Sequence, residues 1–150
     1  MANKSVVAGK IPPQNVDAEM SLLGAVLIDE EVLADVTEHV KPKDFYDKRH
    51  AIIYDAIMRL YEKNKPVDLL TLTDELKRKK EIDEVGGSAY LTELTNYVPT
   101  AAHAESYAEI VAQKAVRRRL IKASGEISEL GYNEETTTQE LLQQAEAELF

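Results

Sequence analysis

The chain has 150 residues, 44% hydrophobic and 30% charged, with a formal net charge of −9 and no cysteine. That length and balance describe one folded domain, or a small core with an extension, rather than a disordered segment. They exclude disulfides, thiolate metal sites, cysteine nucleophiles and a membrane-spanning run of ~20 apolar residues, and the acidic excess opposes a general grip on nucleic-acid phosphates.

Residues 1–10 lack periodicity and are expected to form a mobile tail, without the apolar centre of a signal peptide. Pro12 and Pro13 push the first helix beyond them, Asn15 caps it, and Asp17 and Glu19 put negative charge in its first turn. Val16, Met20, Leu23 and Leu27 form its apolar stripe, and Gly24 permits a close helix contact. Val32, Leu33, Val36 and Val40 carry a second helical pattern that Pro42 ends. A helix from about Lys48 to Asn64 turns Ile53, Ile57, Leu60 and Tyr61 inward and stops before Lys65-Pro66. Asp68 caps a helix through Leu72 and Leu76, and Gly86-Gly87 precedes one carrying Tyr90, Leu91 and Leu94. Nothing alternates with period two for long enough to make a sheet, so the predicted fold class is all-α.

Pro99 divides the chain into a compact multi-helix domain, residues 11–98, and an antiparallel helical hairpin, residues 99–150. Helix formers run from Ala102 to Leu130, interrupted only by Gly125. Val116, Leu120, Ala123, Ile127 and Leu130 repeat at the spacing of a short coiled-coil seam. Gly131-Tyr132-Asn133 supplies a turn, and Thr138 caps a last helix bearing Leu142, Ala145 and Leu149. Pairing outward from that turn sets Leu130 near Thr138, Ala123 near Ala145 and Leu120 near Leu149. It also carries the basic block of Lys114, Arg117, Arg118, Arg119 and Lys122 toward Glu146 and Glu148. Those charges form either solvated pairs worth under ~1 kcal/mol each or a contact between subunits. Ile121 points off the seam and needs another surface: the compact part, a second hairpin or a different protein.

No catalytic, cofactor-binding or metal-ligating constellation emerges. Gly9-Lys10 is followed by Ile11 and lacks the leading glycine of a phosphate-binding loop. His39, His50 and His103 are widely separated, with no His-x-x-x-His pair, and His50 reads as a packing or hydrogen-bonding residue. Asp17, Glu19, Asp68 and Thr71 fit helix-terminus chemistry better than an acid/base couple.

A set of short motifs remains, in a fixed order: Asp17-Ala18-Glu19, Leu22-Leu23-Gly24, Asp44-Phe45-Tyr46 with His50, Val67-Asp68 with Thr71, Gly86-Gly87 with Tyr90-Leu91, Pro99-Thr100-Ala101-Ala102, Tyr107, and Arg117 to Ile121. Together they resemble the N-terminal domain of bacterial replicative DNA helicases of the DnaB type, over the span from Ile11 to Phe150. The resemblance implies a cytoplasmic primosome component. In that family N-terminal domains pair through their hairpins, three pairs form a collar on the hexameric helicase, and primase docks on the collar. It implies Tyr90, Ile121 and Ile127 for primase docking or for the hairpin arrangement that permits it, with a core-aromatic role as the rival for Tyr90. Val116, Leu120, Ala123, Leu130, Leu142 and Leu149 are implied for the seam and self-association, and Arg117 and Arg119 for tuning subunit pairing or meeting an acidic partner. A helicase loader is a further implied partner. ATP, Mg2+, DNA binding and unwinding are expected of a separate C-terminal domain absent from this chain, which therefore needs no cofactor and is no enzyme by itself. Two other readings compete: a stand-alone acidic helical adaptor outside replication, and a DNA-binding module built on Arg117 to Arg119.

Overall fold

The computed structural model describes residues 10–149. The expected mobile tail lies, apart from Lys10, outside the described residues. Seven α-helices and no strand occur among them: α1 (Val16–Ile28), α2 (Leu33–His39), α3 (Lys48–Glu62), α4 (Leu69–Arg78), α5 (Gly87–Thr95), α6 (Ala104–Tyr132) and α7 (Thr138–Leu149). The chain is thus all-helical, as expected. No helix is long and apolar enough to cross a membrane among the described residues.

Local chemistry places most helix starts. The Asn15 side chain accepts from the Ala18 amide at 2.9 Å. Asp47 accepts from the Arg49 amide at 2.9 Å and opens α3. Asp68 and Thr71 satisfy each other's amides reciprocally at 2.9 Å, a capping box at the head of α4. Gly86 and Gly87 enter α5 with φ of +101° and +74°, backbone that a side chain resists.

One unit spans Gln14–Ala115. Within it α1 packs against α3 and α5, and α4 packs against both α3 and α5. This enclosure buries α1 on nearly every side, from Leu22 through Leu27, rather than along the single expected stripe. At the crossing with α5, a Cβ on Gly24 would lie 2.3 Å from the Leu94 carbonyl oxygen, so only glycine allows the approach. On α3, Ile53, Ile57 and Leu60 are buried, but Tyr61 in the last turn runs past the core and is exposed. Tyr54 takes the inward place instead, its hydroxyl donating to the Val40 carbonyl at 2.9 Å. Burial pushes the Tyr54 phenol well above its ordinary value. Ala104, Ala108, Val111 and Ala115 are buried at helical spacing, so this unit takes in the first part of α6, which the division at Pro99 assigned to the hairpin.

The other unit holds the rest of α6 with α7 and the described residues before Gln14. Here α6 continues through Gly131 and Tyr132, so the turn falls at 133–137, later than expected. A glycine inside a helix costs about 1 kcal/mol, which a long helix absorbs. Asn133 accepts from the Glu135 amide at 3.2 Å, and Thr137 rather than Thr138 caps α7, accepting from the Glu140 amide at 3.3 Å. Arg118 donates to the Pro13 carbonyl at 2.8 Å.

Candidate functional site

A buried polar chain organises the compact unit around Tyr90. Glu19, in the first turn of α1, is almost wholly enclosed. Its Oε2 accepts from the Tyr46 amide at 2.7 Å and its Oε1 from the Asp47 amide at 3.3 Å, so one carboxyl group holds the backbone that leads into α3. His50 Nδ1 lies 2.8 Å from the same Oε1, and His50 Nε2 lies 2.5 Å from the Tyr90 hydroxyl. Both ring nitrogens are thus engaged, so the imidazole bridges the Glu19 carboxyl group and the Tyr90 phenol. The His50 and Tyr90 rings are nearly parallel, 8° apart.

The ring of Tyr90 is held as well. The Arg49 guanidinium sits 4.2 Å from its ring centroid, a cation–π contact, and Asp47 grips that guanidinium at 3.0 and 3.3 Å. Burial pushes the Tyr90 phenol up, against the opposing pull of Arg49, so it stays a donor. For Asp47, burial raises the carboxyl but the hydrogen bonds from Arg49 outweigh it and bring it down. Tyr90 therefore presents a half-buried ring edge, not a free hydroxyl.

The hairpin unit offers a different surface. Glu148 of α7 lies beside Glu126 of α6, and a side-chain hydrogen bond between them raises the Glu148 carboxyl. That contact sets the end of α7 beside the middle of α6. Val116 and Leu120 lie nearer the start of α6 than Glu126 does, so α7 does not reach them. They are 54% and 61% exposed, and Leu142 and Leu149 on α7 are 63% and 60% exposed. The expected pairing of Leu120 with Leu149 within one chain therefore does not form. Ala123, Ile127 and Leu130 on α6, with Leu141 and Ala145 on α7, are half-buried, as is Ile121. Arg117 and Arg119 are exposed. Four large apolar side chains on the two arms thus face solvent.

The family model described as "DnaB-like helicase N terminal domain" matches residues 11–113. The chain belongs to this family. The DnaB N-terminal domain from Mycobacterium tuberculosis, solved by crystallography, matches with a TM-score of 0.88 and 42% identity, over 92% of this chain and 97% of that one. The replicative DNA helicase DnaB of Leifsonia xyli is 45% identical over 141 residues, and that of Geobacillus stearothermophilus 42% identical over 140. This chain spans 31% of the length of each of these two DnaB proteins. A DnaB-like replicative helicase, whose structure was described with its interactions with primase, matches with a TM-score of 0.74 and 25% identity, over 90% of this chain and 31% of that one.

The DnaB-like fold gives each predicted residue a place. Tyr90 belongs to the compact unit, whereas Ile121, Ile127 and the six seam residues belong to the hairpin unit. The sequence did not reveal that Glu19, through His50, and Arg49 both hold Tyr90. Glu19 was legible as buried, because it shares a helical face with Leu22, Leu23 and Val26. Its partner could not be read, since His50 meets it only through tertiary packing.

Proposed function

We propose that this chain is the collar-forming, partner-recruiting N-terminal domain of a replicative DNA helicase. Its hairpins pair with those of a second copy, and three such pairs build the collar of a hexamer on which primase docks. The observation that carries this reading is the exposed apolar set on the hairpin, Val116, Leu120, Leu142 and Leu149. Exposed leucines on both arms of one hairpin are what a second hairpin would cover. The match to a DnaB-like helicase described with its primase interactions supports primase as the docked partner. Family membership weighs against an adaptor outside replication, and the net charge of −9 weighs against a DNA grip by Arg117 to Arg119. On this reading ATP and Mg2+ are handled by the C-terminal motor of the whole helicase in the cytoplasm, a loader engages the assembled ring, and Arg117 and Arg119 tune pairing.

Calorimetric titration of the C-terminal domain of the cognate primase into this chain tests the docking half. Binding that weakens in Ile121→Ala or Ile127→Ala variants of unchanged helicity supports it. No heat at micromolar concentrations of both proteins overturns it. For Tyr90, removal of the hydroxyl alone in Tyr90→Phe leaves the ring edge in place and should leave docking intact, whereas Tyr90→Ala should lose it.

A further inference from the structure

Away from the His50 chain, three metal-ligating side chains converge within the compact unit. His39 stands in the last turn of α2, and Glu105 and Glu109 stand one turn apart on the same face of α6. One ligand atom from each lies within 4.8 Å of the other two, and His39 Nε2 is 3.8 Å from Glu105 Oε2. We propose that His39, Glu105 and Glu109 bind a divalent transition-metal ion of the zinc type.

The donor set selects the class of ion. One imidazole with two carboxylates suits Zn2+, Co2+ or Ni2+, whereas Mg2+ and Ca2+ take oxygen ligands alone. The geometry is close to what such an ion requires. Bonds of about 2.0–2.2 Å in a tetrahedral arrangement put the ligand atoms roughly 3.3–3.6 Å apart. Closing from the observed spread takes movements of about 1 Å, within the reach of ordinary rotamer adjustment at partly exposed side chains.

Charge argues the same way. Glu105 and Glu109 are like charges at i and i+4, which repel by a few tenths of a kcal/mol on a helix. Among the described residues the ion pairs give Glu105 no partner but His39 and give Glu109 none. A bound cation would neutralise both and tie the end of α2 to the start of α6. Glu105 and Glu109 are exposed and the His39 side chain is 33% exposed, which leaves an entrance and coordination positions for water. Histidine spacing in the sequence hid this group, because the carboxylates come from a helix far downstream rather than from a neighbouring histidine.

The test uses the whole chain without a histidine tag. Zinc sulfate is titrated calorimetrically and cobalt(II) chloride by visible absorption. The expected result is one ion per chain, with a cobalt ligand-field band. Each of His39→Ala, Glu105→Gln and Glu109→Gln should weaken binding at least about tenfold, while His103→Ala, at an exposed histidine outside the group, should not. Zinc should also raise the unfolding midpoint of the native chain and leave that of Glu109→Gln unmoved. These side chains are at the surface, and circular dichroism identifies any variant that misfolds. Substoichiometric binding, or equal affinity in a variant carrying all three substitutions, would mean scattered surface binding only and overturn the proposal.

Discussion

Glu75 shows how this acidic protein keeps a carboxylate inside. It lies buried on α4, with Oε2 at 2.7 Å from Arg59 Nε and Oε1 at 2.6 Å from Arg78 Nη2, while Arg59 also reaches Glu81 at 2.9 Å and Asp55 at 2.7 Å. Burial pushes the Glu75 carboxyl up, but the hydrogen bonds from Arg59 and Arg78 prevail and bring it down to about 2. The folded value lies below the free value of 4.5, so the unfolded chain binds the extra proton between them. The stability contributed is present above about pH 4.5 and is lost as pH falls toward 2, at most of the order of 3 kcal/mol. Urea unfolding followed against pH should lose that part of its acid slope in Glu75→Gln, which should also be less stable at pH 7. A variant with the native acid slope would contradict the assignment. The same method reads the Tyr90 support. His50→Ala removes a buried ring and one of the three hydrogen-bond partners of Glu19, leaving the Tyr46 and Asp47 amides, and should cost about 2–4 kcal/mol, whereas Tyr90→Phe removes one hydrogen bond and should cost about 1 kcal/mol.

Helix starts were legible because capping is local: Asn15, Asp68 and Gly86 act within their own turn. The full burial of α1 was not, since it depends on α3 and α5 closing around a helix whose sequence marks only one stripe. The close approach at Gly24 was readable from a glycine beside Leu23, and its strength follows from the 2.3 Å gap to the Leu94 carbonyl. Gly24→Ala should therefore force α1 and α5 apart and destabilise the fold by about 1–3 kcal/mol, measurable by thermal or urea unfolding. An unfolding midpoint at or above the native one would show that the crossing gives way freely. The hairpin was half legible. Its seven-residue rhythm identifies the apolar side of α6, but the same rhythm serves packing within a chain and between chains. What separates the two is the turn. Helix α6 ends at Tyr132 instead of before Gly131, and the resulting register leaves Val116 and Leu120 beyond the end of α7. The residues proposed for docking were suggested only by family motifs, because a half-buried tyrosine in a hydrogen-bonded chain has the pattern of any core aromatic.

At the scale of the whole molecule, the two units divide the labour. The compact unit is a dense helical core whose buried polar groups all find partners among the described residues. The hairpin unit is thin, with no side chain on α7 fully buried and large leucines exposed on both arms. Under the proposed function a second hairpin covers these leucines. The decisive experiment is sedimentation equilibrium across 1–200 μM (roughly the range in which modest interfaces form), on the native chain and on a Leu120→Asp, Leu142→Asp double variant. Hairpin pairing predicts a dimer or larger species for the native chain and a monomer of unchanged helicity for the variant. A native chain that stays monomeric throughout, or a variant that associates equally well, would contradict it.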